Sequence, residues 1–386
     1  MGAGLLMNGV LQLFVYPQLN RTMGAEALGA LLFIMGIGGI IGPAVGQALN
    51  NSRLVMRRDF EVKNGDYDIL LLAFGAAASL IGLAAAKDYL GGALEAAAVL
   101  VLFMLMIFRY YGDVEYRLRL SYSRYFAYYA VLTAGYVAGF AIYRATGLWL
   151  FIFLIGEAAA LVFLAATGSV FRGFFDRSRF FSEAARRGGL IIISYTVTNL
   201  TLNIDRILLV FLIDSTAVTY YYVLSLVGKT MILLIAPINT IVISYLTKEN
   251  TRLTRSQFLK MTAAGAAVAL LFFLAAQVGT PIFVKLFYGG LYDELRPYMT
   301  VVNASQILGL LSAYIFILIL TFTEEKWQMI LQLAHLAAVL VLVFSFSGRY
   351  HLMGFSAAVL AANALRVAAV TAFGALKAGG GEKARE

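Results

Sequence analysis

A water-soluble fold is excluded by spacing. Apolar stretches of about 20 residues, the length a helix needs to cross the hydrocarbon core of a bilayer, recur from one end of the 386-residue chain to the other. Twelve can be drawn, over 3–20, 25–50, 68–86, 92–108, 124–143, 147–168, 188–213, 216–246, 258–280, 297–321, 327–346 and 351–376. Backbone N–H and C=O groups find no water in lipid, so each stretch is read as a helix that closes its own hydrogen bonds. The first is the least regular, because Asn8 and Gln12 interrupt it and Pro17 lies near its end. The expected fold class is an all-α polytopic membrane protein. Only 13% of residues are charged and 61% are hydrophobic, which agrees with that class. There is no cysteine, and His335 and His351 are the two histidines. No metal site and no cofactor are therefore expected. The start of the chain lacks a basic leader before its apolar run, so no removable signal peptide is expected.

The formal net charge of +9 is dispersed in short clusters between the apolar stretches and forms no patch interleaved with aromatics, which speaks against nucleic acid. Placing the first residue in the cytoplasm gathers 21 basic residues on the inner side, among them Arg53, Arg57, Arg58, Lys63, Arg109, Arg117, Arg252, Lys383 and Arg385. The outer connections then hold six: Arg21, Lys87, Arg144, Lys285, Arg296 and Arg349. By the positive-inside rule both termini are expected in the cytoplasm, with the chain in the cytoplasmic membrane. The most charged connection follows the sixth stretch. It divides the chain into a six-helix bundle over 1–168, a cytoplasmic linker over 169–187, a second six-helix bundle over 188–376 and a flexible tail over 377–386. Each half opens alike, with a polar-containing helix, a turn and a long helix carrying a proline, Pro43 or Pro237. Transporters are often built from two such halves around a central site.

Within the seventh stretch Thr196, Asn199, Asn203 and Arg206 fall at i, i+3, i+7 and i+10, one face of a helix, with Asp205 adjacent to Arg206. An ionised side chain near the membrane centre costs at least about 2.5 kcal/mol on insertion scales. That face must therefore meet water, a polar ligand or another polar helix, while Ile207, Leu208 and Phe211 can face lipid. Further polar stripes are Tyr222, Ser225 and Lys229 in the eighth stretch, and Gln328, Gln332 and His335 in the eleventh. Ser356, Asn363 and Arg366 form one in the twelfth, with Asn303 and Gln306 in the tenth. Two readings stand beside each other: hydrogen bonds between helices, or convergence on a hydrated cavity. Glu157 and Glu95 read as pairing partners for a basic residue, with Asp205 and Glu157 the candidates for ion coupling. Tyr220, Tyr221 and Tyr222 beside an outer turn read as an aromatic belt. Mid-membrane cations Arg206, Lys229 and Arg366 outnumber Asp205, so a shared cavity would be positive and suit phosphate.

Two segments carry a resemblance to a known family. Tyr16-Pro17-Gln18-Leu19-Asn20-Arg21-Thr22-Met23-Gly24-Ala25-Glu26-Ala27-Leu28-Gly29 resembles the first-loop pattern of polysaccharide flippases, a proline followed by Arg, Gly, an acid and Gly. Asn203-Ile204-Asp205-Arg206-Ile207-Leu208-Leu209, followed by a turn and Tyr220-Tyr221, resembles their seventh-helix segment, although Thr219 stands where a small residue is usual. The family is the polysaccharide transporter branch, including O-antigen (Wzx-type) flippases, of the multidrug/oligosaccharidyl-lipid/polysaccharide (MOP) flippase superfamily. The resemblance implies two six-helix bundles in a MATE-like arrangement around a central cavity. Its implied cargo is a polyprenyl-pyrophosphate-linked oligosaccharide, flipped from the inner to the outer leaflet for surface polysaccharide synthesis. Polysaccharide polymerase and glycosyltransferases are the implied partners. On this reading Arg206, Lys229, Asn199, Asn203, Arg21 and Arg366 bind the anionic head, and the protein is not an enzyme. The alternatives are a cation-coupled small-molecule exporter of the same fold and an integral-membrane subunit of a polysaccharide synthase or export complex.

Overall fold

Regular structure follows the apolar stretches closely but overruns them at their polar ends. A computed structural model describes residues 2–57, 59–248, 253–320 and 322–378. In chain order its helices are α1 (Gly2–Val10), α2 (Tyr16–Ile41), α3 (Ala48–Met56), α4 (Asn64–Ala86), α5 (Ala93–Gly112), α6 (Val114–Leu118) and α7 (Tyr122–Thr146). They continue as α8 (Leu150–Thr167), α9 (Phe181–Leu212), α10 (Ser215–Lys248), α11 (Arg255–Phe287), α12 (Tyr292–Leu295), α13 (Met299–Leu320) and α14 (Glu325–Ala378). Among the described residues no strand occurs. The tail from 379 onward, with Arg58, Arg252, Lys383 and Arg385 and the side chains of Pro237 and Gln328, lies outside what is described.

Among the described residues eight helical stretches are long and apolar enough to cross a membrane. Two of them hold two limbs each. The first, Gly4–Met56, breaks at Gly24, whose φ of 84° costs glycine little because no Cβ collides with the backbone. The last, Met329–Ala378, breaks at His351, a non-glycine residue at φ 48°. Opening these corners and adding α9 and α10 accounts for the twelve expected segments. The outer faces of α4, α8 and α11 leave Ile81, Val162 and Leu271 more than half exposed, which is the surface lipid requires of a bilayer-spanning helix.

Pro43 explains the interruption between α2 and α3. A proline has no N–H to give and its ring crowds the preceding turn, and here the helix widens into a π turn over Gly42–Gln47. The connection expected over 169–187 is partly helical, because α9 already starts at Phe181. Glu183 accepts from Arg186 and Arg187, three and four residues on, and such pairs support an extra helical turn.

Packing separates the chain into two units, Met1–Ile207 and Leu208–Glu386, with the division inside α9. In the first, α7 lies along α8, α5 packs on α8, α4 and the π turn, and α1 packs on α7. Phe33, Tyr67, Phe103, Tyr111, Tyr128 and Phe153 fill its interior. In the second, α13 packs against α10, α11 and α14, around Phe258, Ile307, Leu311, Ile315, Leu318 and Val370.

Candidate functional site

Small residues bring the polar face of α9 against α2. A Cβ built on Gly36 would stand 3.0 Å from Cδ of Arg206, and one on Gly39 would stand 3.7 Å from Oδ1 of Asn203. These two glycines are therefore the clearance that lets the arginine lie along the neighbouring helix. Arg206 is half-buried, and its Nη1 donates to the Leu32 carbonyl at 3.3 Å. Its backbone N–H is taken by Oδ1 of Asp205 at 2.9 Å. Asn199 and Asn203, also half-buried, each donate Nδ2 to the carbonyl four residues back, on Tyr195 and Asn199, at 2.7 and 3.0 Å. This folds their amides against their own helix and leaves the side-chain oxygens on the face. One turn beyond, Asn51 of α3 donates to the hydroxyl of Tyr195. Of the expected lipid-facing residues, Phe211 is exposed and Leu208 is buried.

The other predicted residues fall elsewhere. Arg21 is exposed near the Gly24 corner, beside Thr22, whose hydroxyl shares a 2.7 Å hydrogen bond with Tyr143. Lys229 is half-buried on α10 in the second unit, next to Gly228, which packs onto Gln306. Gln306 donates to the hydroxyl of Tyr221 at 3.2 Å. The belt expected of the tyrosine cluster is not what Tyr221 and Tyr222 form. Both are buried, and Tyr221 also meets the edge of Phe355 at 5.1 Å. Aromatic rings with a polar tip serve a core as well as an interface when that tip is satisfied. Asn303 ties helices together, accepting from Thr280 and donating to the Ala276 carbonyl and to Gln277. Arg366 donates to Gln332 at 2.7 Å, and Asn363 to the Ser305 carbonyl at 2.9 Å.

Glu157 is buried in a closed pair. Its Oε2 accepts from Nε of Arg109 at 2.6 Å and its Oε1 from the Tyr136 hydroxyl at 2.8 Å. Arg109, counted in the sequence among the charges of a connection, is itself buried in the last turn of α5, with its side chain over the ring of Tyr110 at 4.1 Å. Glu95 departs from its expected base. From the first turn of α5 it reaches back to the N–H of Gly91, in the preceding loop, at 2.6 Å and accepts from the Trp149 indole at 3.1 Å. A second network went unread in the sequence. Asn50 donates to the carbonyls of Tyr110 and Tyr111 and to Asp113, and Arg53 donates to the Tyr111 hydroxyl at 2.6 Å and to Asn64 at 2.5 Å. The adjacent Asn50 and Asn51 at the end of an apolar stretch were its one visible signal.

With this geometry in hand, comparison places the architecture. The whole chain superposes on solved structures of MATE transporters. The inward-facing conformation of a multidrug resistance MATE family transporter of the MOP superfamily matches with TM-score 0.70 over 99% of this chain and 96% of that one, at 16% identity. The fold is the MATE transporter fold. A MATE in complex with MaD5 matches at TM-score 0.61, 16% identity, and 99% and 95% coverage. An outward-facing multidrug resistance MATE transporter matches at TM-score 0.52, 15% identity, and 99% and 91% coverage. No protein-family model and no curated protein matches the sequence.

Proposed function

We propose that the protein is a membrane transporter that carries a polyprenyl-pyrophosphate-linked oligosaccharide from the inner to the outer leaflet by alternating access. The observation that carries this reading is the half-buried Arg206 in the last two turns of α9, laid along α2 through the Gly36 clearance, with Asn199 and Asn203 on the same face. A planar guanidinium with amide groups beside it is the equipment for phosphate oxygens and sugar hydroxyls. Lys229 and Arg21 are the further cations proposed for the head group. The inward- and outward-facing structures that share the fold support alternating access. With the interior negative, outward movement of an anionic head gains about 2.3 kcal/mol per charge per 100 mV, so the membrane potential can drive the step. The polyprenyl tail stays in lipid throughout.

The test uses proteoliposomes loaded with labelled lipid-linked oligosaccharide, whose accessibility is followed from each side. Arg206→Ala is expected to fold and to lower the flipping rate about tenfold or more, the loss of one charge-assisted hydrogen bond or two. Unimpaired flipping in that variant overturns the assignment. A second reading, a cation-coupled exporter of small molecules, is favoured by the multidrug description of the structural neighbours. It predicts efflux of a lipophilic cation by the same vesicles and dependence on Asp205 rather than Arg206.

A further inference from the structure

The connection between α8 and α9 is fastened to the first unit more firmly than a linker requires. Asn64, at the start of α4, donates Nδ2 to the carbonyls of Ser169 and Arg172, each at 2.8 Å, and Oδ1 of Asp66 accepts the Ser178 N–H at 2.8 Å. Lys63 holds Asp176 at 2.9 Å. A Cβ on Gly65 would stand 2.4 Å from the Asp176 nitrogen, so here backbone lies directly on backbone. Phe171 and Phe174 pack on Phe108, with ring centres 5.6 and 6.4 Å away. Phe108 ends the apolar stretch expected over 92–108, which sets the connection at the level where a helix leaves the hydrocarbon.

This fixed segment holds its next ring outward. Phe175 meets Phe174 at 5.1 Å yet is 73% exposed, and Arg172, Arg177 and Arg179 on either side of it are exposed as well. Arg177 lies over the Phe181 ring and Arg179 over the Phe180 ring, each at 4.7 Å, and Phe180 packs on Phe60 at 5.0 Å. Contact with a ring face steadies a guanidinium without neutralising it. The nearby acids are engaged elsewhere, Asp176 by Lys63 and Glu183 by Arg186 and Arg187, so the outward charge is carried by the three arginines. A phenyl ring held out into water forfeits the free energy of burial. At the head-group level both kinds of side chain are matched, the ring by the acyl boundary and the arginines by phosphates.

We infer that Phe175, Arg172, Arg177 and Arg179 form a docking surface for anionic phospholipid head groups of the surrounding leaflet, on the side expected to be cytoplasmic. Phe175 enters the boundary between head groups and acyl chains, and the arginines gather anionic lipid around it. The lipid thereby holds the α8–α9 connection at the bilayer edge. A soluble acidic protein fits the surface less well, because a specific protein interface takes roughly 20 residues or more a side and this one offers a single ring and three charges. The inference is independent of the transport reading, since none of these four residues belongs to the polar face of α9.

The chain has no cysteine, so Phe175→Cys carrying an environment-sensitive fluorophore reports on this one place. The full chain is put into nanodiscs of phosphatidylcholine, alone or with phosphatidylglycerol. Phospholipids brominated high on the acyl chain are expected to quench the label, and brominated phosphatidylglycerol to quench it more than brominated phosphatidylcholine. Unlabelled wild type is expected to retain phosphatidylglycerol over phosphatidylcholine in native mass spectra. That preference should fall about fivefold for each of Arg172, Arg177 and Arg179 replaced by Gln, while Phe175→Ala keeps the preference and lowers total retention. Unchanged unfolding midpoints show that the variants fold; should the triple replacement not fold, the three single ones carry the same comparison. Water-like emission without quenching in both discs, or a phosphatidylglycerol preference undiminished in the folded arginine variants, overturns the inference. Shielding of the label by added polyglutamate, with no response to phosphatidylglycerol, overturns it in favour of a soluble acidic partner.

Discussion

Arg109 and Arg366 are both cations inside apolar helices, and the two units treat them in opposite ways. In the first unit Arg109 is nearly inaccessible, and Glu157 meets it at 2.6 Å while Tyr136 takes the remaining carboxylate oxygen. In the second, among the described residues Arg366 makes no ion pair, donates to the Gln332 amide and lies over the Phe316 ring. A charge that is matched and hydrogen-bonded on both sides has no coordination left to offer, so the Arg109 pair is architecture. Within one fold, then, the presence of a buried cation says little about function until its partner is known.

That contrast can be broken most sharply at Glu157. Glu157→Ala strands Arg109 and is expected to destabilise the protein by about 3–5 kcal/mol, read from denaturant unfolding in detergent. The double replacement Arg109→Leu with Glu157→Leu should recover most of that loss, since removing both partners leaves no orphaned charge. A smaller effect is expected from Gly135→Ala in α7. Its Cβ would lie 2.6 Å from Cα of Gly156 on α8, and backbone cannot yield as a side chain can. Forcing apart the helices that carry Tyr136 and Glu157 is expected to cost about 1–3 kcal/mol, with Tm as the measure; an unchanged Tm would show that the pair tolerates looser packing. Smallest of all, Arg366→Leu measured in neutral detergent should change stability by no more than about 0.5 kcal/mol. A loss as large as that at Glu157 would show that Arg366 is a structural cation and erase the difference between the units.

Much of the architecture was legible as pattern. Helical spans announce themselves by length and hydropathy because lipid admits few alternatives, and the Pro43 interruption follows from a missing N–H. The Gly24 break was marked by glycine between two apolar runs. The corner at His351 was marked in the same way, by the short polar gap with Arg349 between the apolar runs 327–346 and 351–376. Partners were the harder matter. Glu157 lies 48 residues from Arg109 in the chain, and neither residue names the other. Glu95 resembled it as an acid within an apolar span, yet holds the loop before α5 and the Trp149 indole instead. The tyrosine cluster had the composition of an interfacial belt, and only the neighbours Gln306 and Phe355 turn Tyr221 inward.

What the sequence by itself determined is the solvent and the element type: a bilayer, and helices long enough to cross it. It also supplied the inventory of intramembrane charges, including the lack of any acid along the last four apolar segments that surround Arg366. Tertiary structure alone decided which charges are spent on one another. Hydrophobic periodicity specifies the face a helix buries, whereas a salt bridge depends on the register between two helices distant in the chain, and that register is set by how small residues such as Gly36, Gly135 and Gly156 let backbones approach.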